Sequence, residues 1–372
     1  MTHPHRAQAV PHPAPPPPHR PHAIVPPYLL ARVAATDHPA FARAAEAAQR
    51  TLRGRAPRTL LTLSVEGDTL VAEATPAPDR TISDAQNSTR LPGVVVRRED
   101  DPPVADQAVN EAFDGLGATF DLFEQAYDRN SIDGGGLPLH ATVHYGREYD
   151  NAFWDGARMV FGDGDGEVFT GFTRSITVIG HELAHGVTEH TAGLVYRGQS
   201  GALNESVSDV FGALTEQHAL GQTADEASWL IGAEIFTDAV EGEALRSMKA
   251  PGTAYDDDVL GKDPQPAHMR DFVVTQEDNG GVHINSGIPN RAFHLAATTL
   301  GGFAWERAGL IWYRALTSPD LPPTADFAAF AAVTRAAAAG EYGEESEEAA
   351  AVRAAWIEVG VQEDDGSGTD GR

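Results

Sequence analysis

No cysteine occurs among the 372 residues. Disulfides, thiolate metal ligands and cysteine nucleophiles are therefore all excluded, and packing and bound ions must hold the fold. No apolar run approaches the roughly twenty residues that a membrane-spanning helix needs. The first thirty residues also lack the apolar stretch of a standard secretion signal. Lysine is reduced to Lys249 and Lys262, and 54 acidic residues against 27 basic ones give a formal charge of -27. A surface of that sign argues against nucleic acid and anionic membranes as partners, because both demand Lys and Arg. The charge is uneven: residues 1–60 carry eight Arg and two acids, a net +6, which leaves -33 on the remainder. The two parts should attract each other.

What is present suits a folded protein, since 41% apolar residues is ordinary and the length allows two packed domains plus an appendage. Residues 1–25, with Pro15 to Pro18 and scattered histidines, read as a disordered or polyproline tail. The apolar cluster Pro26-Pro27-Tyr28-Leu29-Leu30 follows, then an Ala-rich helix candidate at 40–52 and alternating, strand-like residues at 60–73. Residues 74–80 form a Pro-containing linker.

Strands are expected at 82–96, around a turn at Asn87-Ser88-Thr89, and at 139–145, 151–154 and 158–161. Between them, Val109, Phe113, Leu116, Phe120, Phe123 and Tyr127 step by three or four and predict a helix with one buried stripe. Glycine-flanked Asp163 and Asp165 mark a tight turn. Further helical periodicity runs through 225–236, 287–300, 305–316, 325–338 and 346–359.

The centre of the pattern is His181-Glu182-Leu183-Ala184-His185, inside a helical run from Ile176 to His190. At 3.6 residues per turn the two histidines lie about 40° apart on one face, so both imidazoles reach one ion, and Glu182 falls where it touches a metal-bound water. Zinc suits two neutral imidazoles and a carboxylate with one position left open. Glu205, on a second helical stretch, supplies the third ligand. Asp209, one turn further, is placed to hydrogen-bond the far nitrogen of a ligating histidine. His190 is half a turn out of phase with His181 and points away, which excludes a three-histidine site.

Six separated segments carry a family resemblance: Asn151 to Trp154, His181 to His185, Gly193 to Tyr196, Gly201 to Phe211, Ala244 to Met248 and Asp278 to Gly287. Together, over residues 80–360, they resemble the thermolysin-type neutral zinc metalloproteases. The front end with Pro26-Pro27-Tyr28-Leu29 is similar to the short propeptides of the protealysin-like branch. The resemblance implies an α+β fold, with a β-rich N-terminal lobe, a helical C-terminal lobe and the zinc helix between them. It also implies a zinc endopeptidase made as a proenzyme, acting on peptide or protein substrates and covered by its own propeptide. Carried over by position, it makes His181, His185 and Glu205 the zinc ligands, with Asp209 behind His181 and Glu182 as the proton acceptor. Tyr196 and His283 become donors to the developing oxyanion, with Asp278 orienting His283. Asn151, Ala152 and Arg246 would hold the substrate main chain, and Phe172, Val178 and Leu245 the side chain just after the scissile bond.

Thr177 stands where thermolysin has an aspartate that binds calcium, so the paired calcium site is not expected. Glu216 matches another acid of that cluster and leaves room for a single weaker calcium. The expected division is 1–72 disordered tail and propeptide, 73–190 N-terminal lobe, 191–361 C-terminal lobe and 362–372 disordered tail. The family implies secretion; a cytoplasmic enzyme is the alternative. The rival functions are an exopeptidase on the same metal and a catalytically silent, zinc-stabilised binding protein.

Overall fold

The described chain of this computed structural model, residues 22–54 and 76–362, opens with strand β1 (His22–Ala23). The strand-like stretch at 60–73, most of the Pro/His-rich tail and residues 363–372 lie outside the described residues. Two helices follow β1. Pro26-Pro27 starts α1 (Pro27–Ala34), because proline at the first helical position has a suitable φ and no N–H to leave unpaired. The Ala-rich run forms α2 (Ala42–Arg53).

The N-terminal lobe is built on β2 (Arg80–Asp84), β3 (Val94–Arg98), α3 (Gln107–Tyr127), β4 (Leu139–Val143), β5 (Ala152–Trp154) and β6 (Met159–Phe161). Its six-stranded sheet has the order β1-β5-β6-β4-β2-β3. The β2–β4 and β4–β6 pairs are parallel, and the others antiparallel. The first described strand therefore completes a sheet whose other described strands all come after residue 79. Helix α3 starts at Asp106, whose carboxylate accepts from the Ala108 N–H at 3.0 Å, and buries the apolar stripe read from its spacing. The turn at Asp163 and Asp165 is real. Gly164 and Gly166 take φ near +72°, and Asp165 Oδ1 accepts from the amides of Glu167 and Val168 at 2.6 and 2.7 Å.

Between the lobes lie α4 (Ile176–Glu189) and α5 (Gly198–Leu220). After them come the short strands β7 (Leu230–Ile231), β8 (Arg246–Ser247), β9 (Asp256–Asp257) and β10 (Gly261–Lys262). The helical lobe continues through α6 (Asp278–Asn285), α7 (Gly287–Leu300), α8 (Ala308–Leu316), α9 (Phe327–Tyr342) and α10 (Glu347–Glu358). Its core stacks Trp312 on Trp356 at 6.1 Å, with Phe293 and Phe330 edge-on. The molecule is thus α+β, a sheet-bearing lobe followed by a helical one.

Two expectations fail. Residues 225–236 form no helix: Trp229 and Gly232 take φ of 59° and 71°, and β7 pairs with β8 instead. The three-to-four spacing there arises from an extended segment buried on both sides, with Trp229, Ile231 and Ile235 all in the core. Residues 22–25, read as part of a disordered tail, form an ordered strand and the bend that follows it. This segment gains its partners from β5 and the residues around it, not from its own composition.

Candidate active site

Helices α4 and α5 cross closely because glycine faces glycine. A Cβ on Gly212 would lie 2.5 Å from the Thr177 carbonyl oxygen, and one on Gly180 would lie 3.1 Å from the Gly212 Cα. Spaced four residues apart on α4, His181 Nε2 and His185 Nε2 lie 3.1 Å from each other, and the close approach of α5 brings Glu205 to them. The Glu205 carboxylate sits 3.5 Å from both. One ligand atom from each of the three residues falls within 4.8 Å of the others, and all three are buried. Among the described residues this is the only such group of three or more. Its polar atoms suit a cation: Glu205 Oε2 is buried with no hydrogen-bond donor, and burial, with His22 and His181 beside it, pushes the His185 imidazole well below its usual pKa, into the neutral form a metal requires. His190 is exposed at the end of α4, out of this group.

The outer nitrogens of both histidines are fixed. His181 Nδ1 lies 2.8 Å from Asp209 Oδ1, and His185 Nδ1 lies 2.8 Å from Asn204 Oδ1 and 3.0 Å from Ser208 Oγ. Asn204 and Ser208 escaped the sequence reading, although they stand one helical turn apart beside Glu205 and Asp209. Asp209 also accepts two bonds from Arg246, at 2.8 and 2.7 Å, and one from Asn290 at 2.8 Å. Burial alone would raise the Asp209 carboxyl, but Arg246 and His181 outweigh it and hold the group well below the usual carboxylate range.

Glu182 is fully buried beside this centre and accepts from the Trp154 N–H at 3.0 Å. Burial, then the charge of Glu205, raises its carboxyl well above the ordinary value, and the amides of Trp154 and Ile24 offset part of the rise. The Tyr196 hydroxyl donates to Glu205 and lies 3.3 Å from His283 Nε2. Burial and Glu205 hold that hydroxyl protonated. His283 stands at the end of a strained loop in which Asn279, Gly280 and Gly281 all take positive φ before the chain turns helical. Its Nδ1 lies 2.6 Å from Asp278 Oδ1. Burial alone would lower its pKa, but Asp278 and Glu205 prevail and raise it to about 9.

Asn151, Ala152 and Arg246, with His283, hold the segment 22–25. Strand β1 runs antiparallel to β5, with His22 opposite Trp154 and Ala23 opposite Phe153. The Ile24 N–H donates to the Ala152 carbonyl at 3.1 Å. Arg246 Nη1 donates to the Ile24 carbonyl at 3.1 Å, and His283 Nε2 lies 3.1 Å from the Ala23 carbonyl. The Asn151 amide bonds Val25 twice. The His22 ring stacks on Tyr196 at 4.0 Å and meets His185 edge-on at 4.4 Å. Ile24, Phe172, Val178 and Leu245 are all buried in one core. Behind this segment, Arg43 and Arg50 of α2 pair with Glu167 and Glu148, which realises the attraction expected between a basic front and an acidic body.

Where an acid was missing, Thr177 Oγ1 accepts from the Gly232 N–H at 2.9 Å.

Comparison with known proteins agrees with this geometry. Residues 60–189 match the thermolysin metallopeptidase catalytic domain, and residues 192–361 match the α-helical domain of the same family. An extracellular metalloprotease of Pectobacterium carotovorum subsp. carotovorum is 51% identical over 321 residues, covering 83% of this chain and 88% of that protein. The chain belongs to the thermolysin metallopeptidase family. A solved precursor of protealysin, a metalloproteinase from Serratia proteamaculans, superposes with a TM-score of 0.84 at 53% identity, over 92% of this chain and all of that one. A thermolysin of Alicyclobacillus acidocaldarius is more distant, 41% identical over 75% of this chain and 50% of its own length. Thermolysin-family enzymes use a catalytic zinc. The chain is accordingly a zinc-dependent endopeptidase synthesised as a proenzyme, of the protealysin-like kind. Among the described residues, no helix is long and apolar enough to cross a membrane.

Proposed function

We propose that the enzyme hydrolyses peptide bonds before bulky apolar residues, with His181, His185 and Glu205 holding its zinc. Bound there, zinc would polarise the substrate carbonyl and acidify water. Glu182 takes the water proton and passes it to the departing nitrogen, a role favoured by a buried carboxyl whose affinity for protons is raised. His283, kept charged by Asp278, and the protonated Tyr196 donate to the oxygen on which negative charge develops. Asp209 fixes the His181 ring and at the same time anchors Arg246. Arg246, Asn151 and the Ala152 carbonyl hold the substrate main chain as an added strand on β5.

One observation supports this reading above the rest. The protein's own residues 22–25 already make the bonds assigned to a substrate, on the same side chains. Lying there, they exclude other peptides, which accounts for a latent proenzyme. Ile24 is the residue whose amide faces Ala152 and whose carbonyl meets Arg246, and its side chain is completely buried. Its place corresponds to the residue after the scissile bond, and Phe172, Val178 and Leu245 would line the pocket. Burying a Leu or Phe side chain there gains about 1.5 to 3 kcal/mol, whereas an Asp or Glu would lose its solvation. Arg246 does not offer it a free cation, since its guanidinium is engaged by Asp209 and a main-chain carbonyl.

We place the enzyme's work outside the cell, in line with relatives named extracellular. Digestion of a peptide library by the matured enzyme, read by mass spectrometry, tests the specificity. Cleavage before Leu, Phe and Ile should exceed cleavage before Ala by roughly tenfold or more in kcat/KM. Equal cleavage before acidic residues would overturn it.

A further inference from the structure

The segment 22–25 lies across the site in the direction and register of a substrate, so a particular bond occupies the reacting position. On one side of that bond the Ala23 carbonyl oxygen is 3.1 Å from His283 Nε2, and the hydroxyl of Tyr196 is 3.3 Å from the same nitrogen. On the other side the Ile24 nitrogen donates to the Ala152 carbonyl at 3.1 Å, and further along β5, past Phe153, Trp154 donates its N–H to Glu182 at 3.0 Å. An inhibitory segment that ran in the opposite sense, or one residue out of register, would not put a carbonyl at His283 and the next N–H at the Ala152 carbonyl.

We propose that the Ala23–Ile24 bond is itself hydrolysed, so that the proenzyme removes residues 1–23 in a trimming step separate from the cut that frees the catalytic body. The inference rests on the roles given above to Glu182 and the main-chain clamp. Water adds its oxygen to the Ala23 carbonyl carbon and the bond to the Ile24 nitrogen breaks. Glu182 carries one water proton to that nitrogen, and the second, given up by the new carboxyl, completes the ammonium. The products are an Ala23 carboxylate on the released tail and an amino terminus at Ile24.

The trimmed propeptide stays where it is. Everything after the bond keeps its partners: Arg246 on the Ile24 carbonyl, Asn151 on both main-chain groups of Val25, and α1 packed by Leu29, Leu30 and Val33. Tyr28 packs against the core, and α2 keeps its two ion pairs. The new ammonium at Ile24 would face Glu182, an attractive pairing. His22 and Ala23, held by their pairing with β5, by ring stacking and by the His283 contact, leave with the tail. Latency therefore persists after the first cut.

The test is intact mass and N-terminal sequencing of the purified, zinc-loaded proenzyme over time. The expected first product begins at Ile24, while Glu182→Gln stays whole. Ile24→Pro removes the N–H at the leaving position and should slow this cut by at least ~100-fold, with hydrolysis of an external peptide by the matured enzyme unchanged. In case that variant folds poorly, a synthetic peptide of residues 20–31 given to the matured enzyme should be cut between Ala23 and Ile24. Seating is read independently of catalysis by hydrogen exchange in zinc-depleted Glu182→Gln, where the Ile24 and Val25 amides should be slow. Fast exchange there overturns the inference. So does an uncut Ala23–Ile24 bond, in the chain and in the peptide, while external Leu and Phe peptides are hydrolysed. Failure to hydrolyse any peptide would instead overturn the functional reading beneath it.

Discussion

Asn151 clasps Val25 with both halves of its amide. The Val25 N–H donates to Oδ1 at 2.9 Å, and Nδ2 donates to the Val25 carbonyl at 3.1 Å. Oδ1 also accepts from the Ala152 N–H, which fixes its orientation. The same side chain thus grips the propeptide now and would grip a substrate later, so latency and substrate binding compete for one residue.

Asn151→Ala should weaken both together. Two hydrogen bonds at roughly 0.5 to 1.5 kcal/mol each predict about a tenfold loss or more. Inhibition of the matured enzyme by an added propeptide, measured beside kcat/KM for a short peptide, checks this. Loss of one without the other would show that the two do not share the clasp.

Asp209 serves His181 and Arg246 at once, so its removal should be felt in two ways. Asp209→Ala frees the His181 ring and should lower zinc affinity by about 10 to 100-fold. It also strands a buried guanidinium, at a cost on the order of 3 to 5 kcal/mol. Competitive chelation and denaturant unfolding read these separately. An unchanged zinc affinity would remove Asp209 from the metal's support.

His144 is clamped between Asp163 at 2.8 Å and Asp106 at 2.9 Å, tying the start of α3 to the turn beside the propeptide. The Asp163 bond first, with Asp106 adding to it and burial opposing, raises its pKa to about 9. A raised folded pKa means that the stabilisation is complete below the unfolded value near 6.5 and is lost as pH rises through about 9. Unfolding midpoints between pH 6 and 10 should fall in that window for the wild type and stay flatter for His144→Gln. Parallel curves would contradict the assignment.

Much of this site was legible because its chemistry is local in sequence. His181, Glu182 and His185 share one helix, Glu205 and Asp209 share another, and helical spacing states their faces. Tyr196, His283 and Arg246 were legible only through resemblance, since no spacing rule links residues from different loops. The supporting contacts were mostly missed. Asn204, Ser208 and Asn290 act by closing hydrogen bonds across helices, and nothing in their own neighbourhoods announces that. The least legible part was His22–Val25. It looks like an extension of a Pro/His-rich tail, and only the sheet edge offered by β5 makes it a strand. The false helix at 225–236 has the same origin, since residues buried from two sides mimic a periodic face.

The most direct test of the whole account is Glu182→Gln, assayed for peptide hydrolysis and zinc content on the same preparation. The carboxylate that moves the proton is lost, yet His181, His185 and Glu205 are untouched. Hydrolysis should fall by a hundredfold to ten-thousandfold, roughly the worth of general acid–base catalysis, with zinc bound as in the wild type. Activity within about tenfold of wild type, with zinc retained, would contradict the central claim that Glu182 carries the proton in this site.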